Sequence, residues 1–142
     1  MKTFDYFGWT TIPDDQMLHR FVKEKFDMSK EDIEPMEKII DRYIPQRDVA
    51  LDIGCHYGFF TKFLSTKFKT VHAFDFPNDI YECFETNMTK FKCDNVVRHP
   101  YGLGEKHKPV ATNDWFEQYK RRGPLGNHID TNQNATKKYY IT

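Results

Sequence analysis

The chain has no apolar run close to the roughly 20 residues that a membrane-spanning helix needs. Its first residues, MKTFDYFGWTT, also lack the apolar stretch of a secretory signal. A cytoplasmic protein with no membrane partner is the expectation. Cysteine is scarce: Cys55, Cys83 and Cys93 are an odd number with no CxxC spacing. That excludes a disulfide framework and a structural zinc ribbon, and it makes three free thiols the expectation in a reducing compartment. The two Asn-x-Thr sequons, at Asn87 and Asn134, then read as chance matches. Net charge is also absent, 21 Lys and Arg balancing 21 Asp and Glu, which argues against a general nucleic-acid binder. The mild basic excess after residue 97 reads as a solvated face. There is no internal repeat, no low-complexity tract, no clustered metal-ligand spacing and no nucleophile-histidine-acid arrangement. The length of 142 residues suits one domain with one core.

What is present is concentrated in VALDIGCHYG, residues 49–58. Val49, Ala50, Leu51 and Ile53 read as a buried strand, and Gly54 and Gly58 open a turn directly after Asp52. Phe59, Phe60, Phe63 and Leu64 then recur at helical spacing, so strand, glycine turn and helix follow one another. That succession brings backbone N–H groups against an anionic or polar ligand. Twenty-three positions after Asp52, the run Val71-His72-Ala73-Phe74 ends in Asp75, an acid placed to accept hydrogen bonds from both hydroxyls of a ribose.

The rest of the chain fits around these two stretches. An aromatic lead carries a helix expected from about Asp14 to Phe26, either capping the core or walling a substrate pocket. Ser29, with Asp32 three positions on, reads as the N-cap of a helix whose inward face is Ile33, Met36, Ile40, Tyr43 and Ile44 and which stops at Pro45. A helix over about 59–67, a strand over 70–74, a helix capped by Asn78 with Ile80, Phe84 and Phe91 facing inward, and a strand over 95–99 come next. The succession predicts a parallel sheet of order 3-2-1 with right-handed crossovers and a ligand at the C-terminal edge of its first strand. Beyond Glu105, strands are expected over 108–112 and 137–142, with a short helix over 115–121 between them. Residues 1–47 thus form a helical lead and residues 48–142 the sheet domain.

Asp52-Ile53-Gly54-Cys55-His56-Tyr57-Gly58 is D-x-G-x-x-x-G and resembles the first motif of class I S-adenosylmethionine-dependent methyltransferases. ALDIGCHYGFFTKFL, VHAFDFPNDIYECFETNM and NVVRHPYGLGEK together resemble the FkbM-like branch, with its DIGANVGFxT, AFEPxPxxYxxLxxN and NVxxxxxALGxx stretches. The lead through Ile44 is similar to bacteriophage-encoded members. The resemblance implies a three-layer, Rossmann-like α/β fold and the cofactor S-adenosylmethionine. It places Asp52 and Gly54 at the methionine end of the cofactor, along the turn Cys55, His56 and Tyr57. Gly58 would allow close helix approach, Asp75 would hold the ribose, and Phe76 would either lie near adenine or pack in the core. The implied acceptor is a small molecule or a glycan, methylated on oxygen.

Departures from the family pattern are also visible. His56 and Tyr57 replace small or aliphatic residues, and Asp75 replaces a glutamate. A K-x-D-x-E-G-x-E segment expected on the other half of the sheet is missing before Thr142. The expectation is therefore a C-terminally truncated fold that holds its cofactor with or without turnover, or that completes its sheet as a homo-oligomer. No catalytic residue is assigned. His56, His99 and His128 are the candidate bases, and Tyr101, Trp115, Arg121 and Arg122 the candidate acceptor contacts. A dinucleotide dehydrogenase is disfavoured, because Gly54 is followed by His56 rather than glycine and position 59 is Phe.

Overall fold

The computed structural model describes residues 2–13, 33–104, 108–112 and 137–141. The elements are β1 (Phe4–Tyr6), β2 (Trp9–Thr11), α1 (Glu34–Tyr43), β3 (Val49–Ile53), α2 (Phe59–Lys67), β4 (Thr70–Phe74), α3 (Asp79–Lys90), β5 (Val96–His99), β6 (Lys108–Thr112) and β7 (Lys137–Ile141). The helix expected over residues 14–26, the Ser29 cap and the segment 115–134 lie outside the described residues.

The centre is a parallel sheet of order β3-β4-β5, a mixed α/β arrangement with Ala50 beside Val71 and Val71 beside Val96. Two crossovers that advance in the same direction with the same hand put their helices on the same face. The packing follows: Ile40 of α1 and Leu64 of α2 meet Val71, and Tyr81, Phe84 and Met88 of α3 meet Ala73, Cys55 and Cys93. Phe84 and Met88 are completely buried, each contributing roughly 1.5–3 kcal/mol of apolar transfer. α3 starts as expected, the Asn78 side chain accepting from Tyr81 N at 2.9 Å. Asn95 donates to the carbonyls of Ser65 and Phe68, both at 2.9 Å, and closes the end of α2.

Two expectations are corrected. Val49, Leu51 and Ile53 are not buried: they are 56%, 57% and 63% exposed on the face opposite the helices. The strand's apolar alternation therefore marks an open face, and only Ala50 and Asp52 point toward the core side. Among the described residues α1, α2 and α3 share one face and form two layers with the sheet. A third layer requires strand order to reverse beyond β3, and the described strands do not reverse. Tyr43 and Ile44, expected to face inward from α1, are 65% and 37% exposed; of the expected apolar face, Met36 and Ile40 are the residues that join the cluster with Leu64 of α2.

The aromatic lead begins with a β-hairpin that its sequence pattern did not announce. Tyr6 pairs with Trp9, leaving Phe7 and Gly8 as a two-residue turn with φ of 48° and 84°. Two positive φ values in succession match the right-handed twist of the flanking strands, and Asp5 Oδ1 accepts from Gly8 N at 3.1 Å. The Trp9 ring centre lies 4.2 Å from that of Phe59 and 4.5 Å from that of Phe91. Lys62 Nζ stands 3.9 Å above the Phe91 ring, a cation–π contact beside the same cluster. At the other end of the chain β6 and β7 form their own antiparallel pair, so the last strand joins β6 rather than the parallel sheet.

Candidate functional site

The turn after β3 is held by its neighbour strand. Gly54 N and Cys55 N both donate to Phe74 O, at 2.8 and 3.1 Å, and Gly58 N donates to Cys55 O at 2.8 Å. Gly54, His56 and Gly58 all have positive φ, 86°, 52° and 93°. Gly58 is demanded twice: its backbone is left-handed, and a Cβ there would stand 2.5 Å from Met88 Cε and 2.9 Å from Phe84 Cδ2. It therefore lets α3, rather than α2 alone, close against the turn. A Cβ at Gly54 would meet nothing within 4 Å, so the space above that residue is open and only its φ of 86° requires glycine.

Asp75 ties β4 to this turn. Its Oδ2 accepts from His56 N at 2.9 Å and its Oδ1 from Phe76 N at 2.8 Å, and the residue is 8% exposed. Each oxygen retains a further acceptor position. Asp52, at the end of β3, accepts a hydrogen bond from Thr61 Oγ1, a completely buried hydroxyl in the first turn of α2. Burial first, and Asp75 in addition, push the Asp52 carboxyl above the usual range, against the Thr61 hydrogen bond that lowers it. The strand ends thus carry two acids in reach of each other's field, a setting that favours a cationic ligand. The Cys55 thiol is driven far upward by burial and by both carboxylates, so it is a thiol and no nucleophile. Cys55, Cys83 and Cys93 are all buried, and none of them is in a disulfide.

The remaining expected residues divide. Tyr57 is completely buried with Ile12, Ile80 and Cys83, its hydroxyl 3.5 Å from Ile12 N, and its side chain belongs to the core. His56 does not simply face solvent: its ring stands edge-on to Tyr57, centres 4.4 Å apart, with Nε2 shielded. Phe76 lies against the backbone of Gly102, where a Cβ would come within 2.7 Å of its Cζ. His128, Trp115, Arg121 and Arg122 lie outside the described residues.

Three participants escaped the sequence reading. Thr61 is paired with Asp52 across nine positions; its signal was the closing Thr of the DIGANVGFxT stretch, which marks the residue and not its partner. Tyr81 is 4% exposed, and its hydroxyl is buried with no hydrogen-bond partner among the described residues. It packs with Cys55 and Ala73 behind the turn; its signal was the Tyr of the Y-x-x-L-x-x-N stretch, read only as part of a motif. His72 pairs with His99, Nδ1 to Nε2 at 2.8 Å, which only the β4-β5 register reveals.

No group of three or more metal-ligating side chains exists among the described residues, and no helix among them is long and apolar enough to cross a membrane. Comparison with protein-family models, with curated proteins and with solved structures gives no match to this chain.

Proposed function

We infer that the turn between β3 and α2, together with Asp75, is a nucleoside-cofactor site, and that the chain is a methyltransferase using S-adenosylmethionine in a Rossmann-like, FkbM-like manner. The observation that carries the reading is the Asp75 brace: one carboxylate fixes the glycine turn through His56 N and keeps acceptor capacity at the sheet edge. Three features fit such a cofactor. The space above Gly54 is open, Asp52 and Asp75 supply negative potential for a sulfonium cation, and the Tyr81 hydroxyl is a buried donor lacking a protein partner among the described residues.

When bound, the cofactor supplies an electrophilic methyl group. Asp75 would accept from the ribose hydroxyls, Gly54 would leave room for the methionine end, and Asp52, held by Thr61, would balance positive charge. Methyl transfer to an oxygen of a small molecule or glycan is an in-line displacement in which positioning outweighs acid–base power. A second reading, a chain that holds the cofactor without transferring its methyl group, is favoured by Cys55 being locked as a thiol and Tyr57 being a core residue.

The test is calorimetric titration of the whole chain with S-adenosylmethionine and S-adenosylhomocysteine, beside Asp75→Asn, with circular dichroism to verify folding. Binding in the micromolar range, about −8 kcal/mol, weakened in the variant, is expected. No binding by the folded wild type would overturn the reading. Binding without transfer of labelled methyl to any acceptor in host extracts would select the second one.

A further inference from the structure

On the sheet face away from the helices, three side chains form a hydrogen-bonded series. His72 Nδ1 is 2.8 Å from His99 Nε2, and His99 Nδ1 is 2.9 Å from Tyr101 Oη. The series is held from below: the Phe74 ring stacks on His99 with centres 4.3 Å apart and planes at 9°, and Tyr101 N donates to His99 O at 2.8 Å. The residues sharing this face are Val49, Leu51 and Ile53 from β3, Thr70 and Phe74 from β4, and Val97 from β5, none of them charged. Arg98 and Asp52 lie on the opposite face, Arg98 donating to Thr89 Oγ1. Within the described residues the two imidazoles and the phenol therefore answer chiefly to one another.

We propose that His72, His99 and Tyr101 form a single-proton site whose hydrogen-bond direction is fixed when the proton enters. Each of the two contacts holds one hydrogen, so the neutral series runs from Tyr101 through His99 to His72 or the reverse. In the first direction every imidazole nitrogen is already engaged or protonated. In the second, His72 donates from Nδ1 and its Nε2 offers a lone pair. A proton entering at His72 Nε2 fixes that second direction: His72 becomes imidazolium, His99 donates from Nδ1, and Tyr101 is held as the acceptor. Another proton would have to enter at His99 Nε2, setting N–H against N–H at the 2.8 Å contact and two cations side by side. The series takes one and refuses the next. Burial, with His72 beside it, already holds His99 below the ordinary histidine range.

The series reaches the candidate site through the chain itself. Tyr101 precedes Gly102, on which Phe76 packs, and Phe76 follows Asp75, whose N–H donates to His99 O at 3.2 Å. Proton uptake is thereby linked to the wall beside Asp75. This link rests on reading the turn as a cofactor site; the proton count does not.

The experiment is long-range ¹H–¹⁵N spectroscopy of the imidazoles of the whole labelled chain, without cofactor, from pH 8 to 5, with His72→Gln assigning the signals and Tyr101→Phe as the direction probe. One imidazolium and one neutral ring at pH 5, with the uptake midpoint moved in Tyr101→Phe, is the expected result. Two charged rings, two neutral rings, or a midpoint indifferent to Tyr101→Phe overturns the proposal. A cofactor titration with no binding leaves the proton count untouched and counts against the proposed function alone.

Discussion

Asn87 grips Thr10 from both sides of its peptide: the carboxamide oxygen accepts from Thr10 N at 2.7 Å and the nitrogen donates to Thr10 O at 3.0 Å. The same nitrogen donates to Tyr57 O at 3.1 Å, so one completely buried side chain of α3 joins the hairpin to the glycine turn. Asn87→Ala leaves a buried N–H and two carbonyls short of a partner. At about 1–3 kcal/mol for a buried group left unsatisfied, a loss of roughly 3 kcal/mol in urea unfolding is expected. A loss under about 1 kcal/mol would mean that the hairpin docks by its aromatic rings alone.

Gly54 and Gly58 separate conformation from space. Both have positive φ, but only Gly58 faces Met88 and Phe84. Gly54→Ala should cost about 1 kcal/mol, the conformational penalty. Gly58→Ala adds an overpacking cost of about 1–3 kcal/mol. Equal losses in denaturant unfolding would contradict the close approach of α3.

Asp52 and His99 have opposite signatures in pH. Asp52 binds its proton more tightly folded than unfolded, so its contribution is present below the ordinary carboxylate value and lost as pH rises through the higher folded value. Asp52→Asn should therefore raise the urea midpoint at about pH 7, with the gain shrinking toward about pH 4. It should also weaken S-adenosylmethionine by about tenfold, equivalent to about 1.4 kcal/mol. His99, with its basicity lowered, is neutral more readily folded than unfolded, so stability falls as pH drops below about 6.5. Replacing it by Phe should flatten that slope.

Tyr81→Phe removes a hydroxyl that has no partner among the described residues. The variant should be as stable as the wild type or slightly more so, because no hydrogen bond is lost, yet bind the cofactor more weakly if that hydroxyl reaches it. A destabilised variant would show that the hydroxyl is engaged within the fold.

The order of elements was readable because it rests on local signals. Helical spacing from Phe59, the Asn78 cap and the apolar runs at 49–53 and 70–74 each operate within a few residues, and the strands and helices appear where those signals lie. Exposure of the β3 face was not readable. Val49, Leu51 and Ile53 look the same in sequence whether a layer covers them or not, and their fate is decided by chain far away. The hairpin was hidden for a related reason: three-residue strands are too short to show a period, and Phe7-Gly8 lacks the Asn or Asp that usually signals such a turn. Within the site, Asp52, Gly54, Gly58 and Asp75 were marked by residue type; Thr61 and Tyr81 fell within the quoted motif stretches, but what they touch depends on helix phase, and the partner of His72 depends on strand register.

Solvent exposure of Leu51 gives its own check. Leu51→Thr should change stability by no more than about 0.5 kcal/mol, while Val71→Thr, on the covered face, should cost well above about 1 kcal/mol. A large loss at Leu51 would reveal a layer over the open face.

The hairpin's attachment also sets an order of assembly. β3 pairs with β4 and β4 with β5, each through one intervening helix, so the sheet can grow stepwise with short loop closures. The Thr10–Asn87 clasp spans 77 positions and has nothing to grasp until α3 exists. The hairpin strands, synthesised before the sheet they dock on, thus find their place only after it, and Trp9 stays in water until Phe59 and Phe91 arrive to enclose it.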